Sequence, residues 1–357
     1  MPDQLKPLPV PSSIELETPT VLRLAARAHR ALAELKGAAA TIPNEAILID
    51  TLALQEAKDS SEIEDIITTE DQLFQGDVVS GQFPSAAAKE VHHYAAALKI
   101  GLAHVREQGF LRLDDVLEIQ AALEQNRAGL RTLPGTVLKN QNTGEVVYQP
   151  PQDPAEIERL MANFLEHFHR DEPGDPDPLV RMAVLHYQFE SIHPFYDGNG
   201  RTGRILNLLH LVMHGLLDVP VLYLSRYIVR HKPDYYRGLQ AVREQDAWEA
   251  WVLYMLSAVE ETSRETLTKV RGIRELMQTT KQRLRSDLPK LYSQDLLNNL
   301  FRHPYTKSEF IERDLGVSRP TAVKYLEALK AAGLVRKTKL RRTNFYINEP
   351  LFELLSR

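Results

Sequence analysis

The feature that most constrains this 357-residue chain is a twelve-residue run, His193 to Arg204, which reads HPFYDGNGRTGR. The residues before it, 178–192, are apolar around most of a helical circumference, which predicts a buried helix. Pro194 cannot continue that helix, and the periodic run 202–215 begins a second one. Two helices are therefore expected to meet at this short turn, with His193 at the end of the first.

The turn combines groups that suit the handling of a polyphosphate. Gly198, Asn199 and Gly200 favour backbone conformations in which successive N–H groups converge on an anion. The second helix directs the positive end of its dipole to the same place. Arg201 and Arg204 add two permanently charged guanidinium groups. We predict a nucleotide-handling site.

His193 and Asp197 supply the remaining chemistry. An imidazole titrates near neutral pH and can take a proton from an attacking hydroxyl. A carboxylate repels phosphate unless a cation lies between them, so Asp197 predicts Mg²⁺. The alternative is an ordinary loop with a buried histidine and surface ion pairs. The coincidence of all these groups at fixed spacing argues against it.

The run also resembles a known motif. It matches the Fic motif, HxFx(D/E)GNGRxxR, at every specified position, and the chain resembles Fic-family protein adenylyltransferases over residues 20–260. The resemblance implies a mainly α fold, a Fic-type helical bundle with a β-hairpin flap. It also implies an enzyme that transfers the AMP part of ATP to a Ser, Thr or Tyr hydroxyl of a target protein or of itself.

The resemblance further implies a role for each residue of the motif. His193 would be the catalytic base, and Asp197 would hold Mg²⁺. The amides of Gly198 to Gly200, with Asn199, would surround the α-phosphate of ATP. Arg201 and Arg204 would bind the outer phosphates.

A second segment, SSEIED at positions 60–65, carries a possible regulatory signal. Ser60 and Glu64 lie four residues apart, on one face of a predicted helix. Alone, the segment would suggest a solvated acidic helix end. Beside a Fic motif it resembles the family's inhibitory signature, (S/T)xxxE(G/N), with Asp65 where the family has Gly or Asn. The resemblance implies that Glu64 pairs with Arg204 in place of the ATP γ-phosphate, as in Fic proteins with an N-terminal inhibitory helix.

Two runs, 136–140 and 145–149, alternate like strands around the turn sequence QNTG. An isolated hairpin in a helical protein could serve only as a structural clip. The Fic resemblance instead implies a flap whose edge aligns the target peptide by strand addition. We expect Val137, Leu138 and Lys139 to form part of that edge.

Composition sets broader limits. The hydrophobic content of 43% and charged content of 25% are ordinary for a soluble globular protein. No apolar run is long enough to span a membrane, and the start of the chain lacks a signal pattern. We therefore expect a cytoplasmic protein without a membrane partner. The absence of cysteine excludes disulfides, cysteine-ligated zinc and thiol catalysis.

The net charge of −5 conceals an asymmetry, because residues 285–357 carry 14 Lys and Arg against 8 Asp and Glu. Two helical patterns, 306–315 and 319–332, flank a short turn at Gly316. Two strand-like runs then surround the basic loop 339–343. This order resembles a winged helix-turn-helix.

The tail therefore predicts DNA binding, with Arg319, Thr321 and Lys324 facing a groove and Arg341 and Arg342 on phosphate. The alternative is a winged helix used for protein docking or for the contacts of a homodimer. The excess of basic residues favours nucleic acid.

These patterns divide the chain into four parts. We expect an N-terminal arm at 1–17 and an N-terminal helical region at 18–110 that contains the inhibitory helix. The catalytic core with its following helices would span 111–284. A small winged helix-turn-helix domain would occupy 285–357.

Three alternatives to AMP transfer stay open. Removal of AMP from a modified protein would use the same pocket, with Glu64 orienting water. Phosphoryl transfer, as in the related Doc toxins, is disfavoured because those carry Lys where Gly200 stands. A DNA-binding regulator could also use the Fic domain only as a nucleotide sensor.

Overall fold

The computed structural model describes residues 5–76, 83–139, 143–340 and 343–357. These residues form helices joined by short loops, with two small antiparallel sheets, which confirms the mainly α fold. The helices before the C-terminal unit are α1 Pro19–Ala39, α2 Glu45–Ile63, α3 Glu70–Gln75, α4 Ala86–Gln108, α5 Leu113–Glu124, α6 Pro154–His169, α7 Pro178–Ile192, α8 Asn199–Met213, α9 Leu224–Arg230, α10 Lys232–Gln245 and α11 Trp248–Asp287.

Helix α7 is the central element, and every residue after Pro178 is buried. Its start is set locally, because the side chain of Asp177 accepts the N–H of Leu179 and Pro178 takes the first helical position. It packs against α6, α8 and α11. The predicted buried helix is therefore confirmed with the same bounds.

The remaining helices surround the α7–α8 pair. Helix α1 runs alongside α11, and α4 contacts both α5 and α8. Helix α2 packs between α4 and α9 and also touches α8. This packing places the last turn of α2, with Ser60 and Glu64, beside the turn that joins α7 to α8.

The predicted hairpin is present and short. Strand β1, Leu138–Lys139, pairs antiparallel with β2, Val146–Tyr148. The hydroxyl of Tyr148 donates to the carbonyl oxygen of Ser191 at 2.9 Å, and the Arg243 guanidinium lies 4.0 Å from the centre of its ring. Strand β2 is thereby fastened to the end of α7.

The C-terminal unit has the element order expected of a winged helix. Its elements are α12 Gln294–Arg302, β3 Tyr305–Thr306, α13 Ser308–Leu315, α14 Arg319–Ala331, β4 Arg336–Leu340, β5 Thr343–Ile347 and α15 Glu349–Ser356. The strands form an antiparallel sheet in the order β3-β5-β4. Arg302 of this unit donates to Asp50 of α2 at 2.9 Å, so the unit contacts the helix that ends just before Glu64.

Two sequence-based boundaries in or next to this unit differ from the structure. The helix expected from Thr306 begins at Ser308, because Tyr305 and Thr306 pair with β5 instead. Helix α11 continues past the expected domain boundary at residue 284, and the domain division itself remains a prediction.

None of the helices in the described ranges is long and apolar enough to cross a membrane.

Candidate active site

His193 follows the last residue of α7 and adopts a left-handed backbone conformation, with φ 49° and ψ 59°. Its N–H still donates to the carbonyl oxygen of Phe189 at 3.0 Å. Left-handed conformations are uncommon for residues other than glycine and persist where the surroundings enforce them. The chain turns sharply here, and the imidazole leaves the helix at the edge of the α7–α8 turn.

The environment of His193 keeps its imidazole neutral. Burial, and after it the positive charge of Arg131, lower the pKa of His193 to about 4. The Nδ1 atom is buried, and a contact between the ring and the backbone of Glu190 offsets the lowering only in part. A neutral imidazole can accept a proton, so the side chain has the protonation state that a general base requires.

The turn before α8 has the conformation that an anion site requires. Gly198 precedes the helix with φ 77°, which glycine adopts without steric cost. A Cβ atom at Gly200 would lie 2.3 Å from Oε1 of Glu64. Glycine is therefore needed at position 200 for the Glu64 carboxylate to approach this backbone.

The side chain of Asn199 differs from the sequence-based expectation that it would face the α-phosphate. Its Oδ1 accepts the N–H of Phe195 at 2.8 Å, and its Nδ2 donates to the carbonyl oxygen of Phe195, also at 2.8 Å. Asn199 is buried, so its amide bridges the turn from one side to the other. Its structural task is to hold the loop closed.

We expect Asn199→Ala to lower the free energy of unfolding by about 1–3 kcal/mol, because both polar groups of Phe195 would lose their buried partner. Thermal or urea unfolding followed by circular dichroism measures this change. Asn126→Ala is the matched control, since Asn126 is exposed and makes only local hydrogen bonds, to the carbonyl oxygen of Glu124 at 3.5 Å and from the N–H of Ala128 at 3.1 Å. Equal stability of both variants would show that the bridge contributes nothing.

Arg204 is held by residues 60–64, the segment that the sequence predicts to be inhibitory. Its Nε donates to Oγ of Ser60 at 2.8 Å, and its Nη2 donates to the backbone oxygen of Ser60 at 3.0 Å. The same Nη2 donates to Oε1 of Glu64 at 2.9 Å. The Arg204 side chain is 1% exposed, whereas that of Glu64 is 40% exposed and borders the cleft.

This ion pair keeps Glu64 negatively charged. Its partial burial favours the neutral carboxyl, but the adjacent Arg204 charge outweighs this effect and lowers the pKa of Glu64 below its ordinary value. Asp65, which stands where the family signature has Gly or Asn, adopts φ 61° and lies 3.2 Å from Nζ of Lys232. Asp65 thus supplies the left-handed residue that commonly follows the end of a helix.

Arg201, predicted to bind the outer phosphates, is paired with two carboxylates in this structure. Its side chain is 6% exposed and pairs with Glu124 at 2.8 Å and with Glu90 at 3.2 Å. Neither carboxylate was identified from the sequence, because α4 and α5 lie far away along the chain. The single positive charge of Arg201 is thus shared between two carboxylates beside the anion site.

Asp197 is exposed at the mouth of the turn. One of its oxygens accepts the N–H of Gly198 at 2.8 Å. No cluster of three or more metal-binding side chains occurs within the described ranges. A single accessible carboxylate still fits Mg²⁺, which takes one or two carboxylates and completes its ligands with water and substrate phosphates. Asp197 is therefore the residue that would hold this ion.

The other predicted site residues belong to the hairpin and to the C-terminal unit. Leu138 and Lys139 form β1, and Val137 immediately precedes it. In the C-terminal unit, Arg319 and Lys324 are exposed on α14 and Thr321 is partly exposed on the same helix. Arg341 and Arg342, predicted on phosphate, lie outside the described residues.

Three family models match stretches of this chain. Residues 22–103 match the family model "Fic/DOC family N-terminal", and residues 110–211 match "Fic/DOC family". Residues 276–351 match "Protein adenylyltransferase SoFic-like, C-terminal domain". The two Fic/DOC models together account for more than half of the chain.

Among curated relatives, the Protein adenylyltransferase Fic of Aedes aegypti is 31% identical over 152 residues. The match covers 42% of this chain but only 28% of the relative. Protein adenylyltransferase fic-1 of Caenorhabditis elegans is 27% identical over 40% of this chain and 26% of its own length.

Solved structures share the fold at low sequence identity. A Fic family protein from Desulfovibrio desulfuricans aligns with a TM-score of 0.60 and 20% identity, over 93% of this chain and 96% of that chain. Fic-1 from C. elegans aligns with a TM-score of 0.53 and 19% identity, over 72% of this chain and 74% of that chain. By its motif, by the matching family models and by its fold, the chain belongs to the Fic/DOC family.

Proposed function

We propose that this protein transfers AMP from ATP to Ser, Thr or Tyr hydroxyls of target proteins, itself included. The observation that carries the proposal is one juxtaposition. A neutral imidazole, the amino end of α8 and the buried Arg204 meet at a single turn. There the carboxylate of Glu64 forms an ion pair with the Arg204 guanidinium. The relatives named above are called adenylyltransferases, which supports this assignment.

The proposed reaction uses the groups of this turn in order. An imidazole nitrogen of His193 accepts the proton of the target hydroxyl. The hydroxyl oxygen bonds to the α-phosphorus of ATP, and the bond from that phosphorus to the bridging oxygen of the β-phosphate breaks, so pyrophosphate leaves. Backbone N–H groups at the start of α8 stabilise the negative charge on the α-phosphate.

Arg204 would bind the outer phosphates once it is released from Glu64. A Mg²⁺ ion held by Asp197 would supply further neutralisation of the phosphate charge. We also propose that Arg201 binds phosphate directly. This would require its guanidinium to break its ion pair with Glu90 or Glu124. The β1 edge at residues 137–139 would align the target segment.

Glu64 is proposed to be inhibitory. A carboxylate and a γ-phosphate oxygen compete for the same guanidinium, so ATP would bind without its productive contacts while the Glu64–Arg204 pair persists.

One experiment distinguishes the possible transfers. The protein is incubated with ATP labelled at either the α- or the γ-phosphate, and label on protein is followed. AMP transfer predicts label from the α-phosphate only, whereas label from the γ-phosphate alone would indicate phosphoryl transfer.

Removal of AMP is the second candidate, favoured by the exposed and ionised carboxylate of Glu64 at the cleft, which could orient a water molecule. Protein carrying AMP at a hydroxyl, incubated without ATP, would then lose it only while Glu64 is present. A Glu64 variant that removes AMP as fast as the wild type would contradict this role.

Binding of DNA by the exposed face of α14 belongs to the proposal as well. It predicts retention of duplex DNA that weakens steeply with salt and persists after substitution of His193. The absence of cysteine is compatible with the reducing cytoplasm, where we place the reaction.

The pH profile should report the environment of His193. Because its pKa is lowered to about 4, the imidazole stays neutral well below the ordinary titration range near 6.5. We expect the rate of AMP transfer to stay constant from about pH 8 down to about pH 5.5. A circular dichroism spectrum is recorded at each pH alongside the rate, to show that the protein stays folded. This control is needed because His193 takes up a proton at a higher pH in the unfolded chain than in the folded one, so acid favours unfolding. A loss of rate centred near pH 6.5 would contradict the expectation.

A further inference from the structure

Arg131 lies in the segment between α5 and β1, which carries no functional motif. Arg131 is only 1% exposed, which is rare for a residue whose side chain cannot lose its charge. The described part of the chain offers it no carboxylate partner at ion-pair distance. Its hydrogen bonds go to backbone carbonyl groups instead.

These carbonyl groups belong to the catalytic turn and to the far end of the hairpin. Nε of Arg131 donates to the carbonyl oxygen of His193 at 2.6 Å, and Nη2 donates to that of Ile192 at 3.2 Å. Nη2 also donates to the carbonyl oxygen of Pro151, three residues after β2. The backbone N–H of Arg131 donates to the carbonyl oxygen of Pro194 at 2.9 Å.

The last carbonyl groups of a helix have no partner within the helix, and a cation at this end also interacts favourably with the helix dipole. At the end of α7, Arg131 supplies both the hydrogen-bond donors for these carbonyl groups and the positive charge. It does so where His193 takes the left-handed conformation that directs its imidazole out of the helix. The planar fork of a guanidinium bonds two neighbouring carbonyl oxygens at defined angles, which a lysine cannot reproduce.

A second tie runs parallel to the first. The hydroxyl of Tyr196, within the motif, accepts the N–H of Thr132 at 2.9 Å and the N–H of Leu133 at 3.1 Å. Arg131 and the two residues that follow it are thus all hydrogen-bonded to the motif loop. Any movement of this segment would move the start of the hairpin relative to His193.

We propose that Arg131 is a positioning residue that fixes the orientation of the His193 imidazole and joins it rigidly to both ends of the β1–β2 hairpin. The proposal rests on the proposed function, in which His193 is the base and the hairpin presents the target hydroxyl. One guanidinium would set both halves of the reacting geometry, and a misplacement of about 1 Å can cost about 100-fold in rate.

The charge of Arg131 has a separate, measurable consequence. After burial, it is the next largest cause of the lowered pKa of His193. Removal of the cation should therefore raise the pKa of His193, whereas a lysine at position 131 should preserve most of the lowering. Charge and fork geometry can be separated by comparing Arg131→Met with Arg131→Lys.

The test uses the full chain in a Glu64→Gly background with ATP labelled at the α-phosphate. We expect Arg131→Met to lower kcat by about 100-fold while KM for ATP changes less than about threefold. Arg131→Lys should lower kcat less, because it keeps the charge but loses the fork. Arg181→Lys is the matched control, since Arg181 is also a buried arginine that donates to a backbone carbonyl oxygen, that of Arg170, away from His193.

Two readouts do not depend on activity. Histidine NMR titration, with the His193 signal assigned by substitution, should give a higher midpoint in Arg131→Met than in Arg131→Lys. Amide hydrogen exchange of residues 143–151 should become faster in both variants. If the Glu64→Gly parent itself transfers no AMP, the proposed function fails, and these two readouts still test Arg131.

The proposal is overturned if both Arg131 variants keep the parent kcat, or if Arg181→Lys loses as much kcat as Arg131→Lys. It is also overturned if hydrogen exchange of the hairpin is unchanged. Should Arg131→Met fail to fold, Arg131→Lys decides: a folded protein with reduced kcat and faster hairpin exchange supports the positioning role.

Discussion

Glu64→Gly is expected to raise the rate of AMP transfer by about 10- to 100-fold. The ion pair joins the Glu64 carboxylate to Nη2 of Arg204 at 2.9 Å, and hydrogen bonds between charged groups contribute about 1.5–3 kcal/mol. Removal of the carboxylate frees the Arg204 guanidinium to bind the outer phosphates of ATP. It also clears the space above Gly200, where Glu64 Oε1 now lies. The measurement is the initial rate of α-phosphate label transfer at saturating ATP.

Two further variants separate charge from bulk and from helix damage. Glu64→Gln keeps the size of the side chain, so a smaller increase than that of Glu64→Gly would show that both charge and space matter. Glu62→Gly places glycine in the same last turn of α2 without touching Arg204 and should leave the rate near that of the wild type. A rate in Glu64→Gly no higher than in Glu62→Gly would remove the inhibitory role of Glu64.

The second large effect is the loss of the base. In the Glu64→Gly background, we expect a His193 substitution to reduce AMP transfer by about 100- to 10,000-fold, the range associated with general acid–base catalysis. His193→Asn is preferred to His193→Ala, because asparagine tolerates the left-handed conformation at φ 49°. The measurement is the same label transfer, together with ATP binding by calorimetry.

ATP affinity should change little in His193→Asn, since the imidazole acts on the hydroxyl of the target and not on the triphosphate. Unfolding temperature is compared with that of His167→Asn, a histidine on α6 outside the site. Retained AMP transfer in a folded His193→Asn variant would show that another group takes the proton. Loss of ATP binding would instead point to a structural role for His193.

Much of the site could be predicted from the sequence because its residues are adjacent along the chain. The HPFYDGNGRTGR run contains its own helix end, turn and helix start, so local stereochemistry already places His193 near the amino end of α8. The spacing of Ser60 and Glu64 likewise puts both on one helical face. Both inferences needed only the geometry of a single helix or turn, and the resemblance to the Fic motif supplied the partner, Arg204.

The C-terminal unit shows where such local reasoning stops. Tyr305 and Thr306 pair with a strand some forty residues later, and no local pattern distinguishes so short a strand from the start of a helix. The last helix, α15, was missed because its apolar residues have a partner only after the unit packs on α11, where Leu354 lies against Gly272.

Sequence alone determined the family and the mainly α fold, and it predicted the base, the anion turn and the inhibitory carboxylate, because the residues of each lie at fixed local spacing. Only the tertiary structure decided which of these groups are engaged with others. It assigned Asn199 to closing the loop, paired Arg201 with Glu90 and Glu124, lowered the pKa of His193 by burial, and brought Arg131 to the end of α7. Such contacts join segments that lie far apart along the chain, and burial and partnership exist only once those segments are packed together.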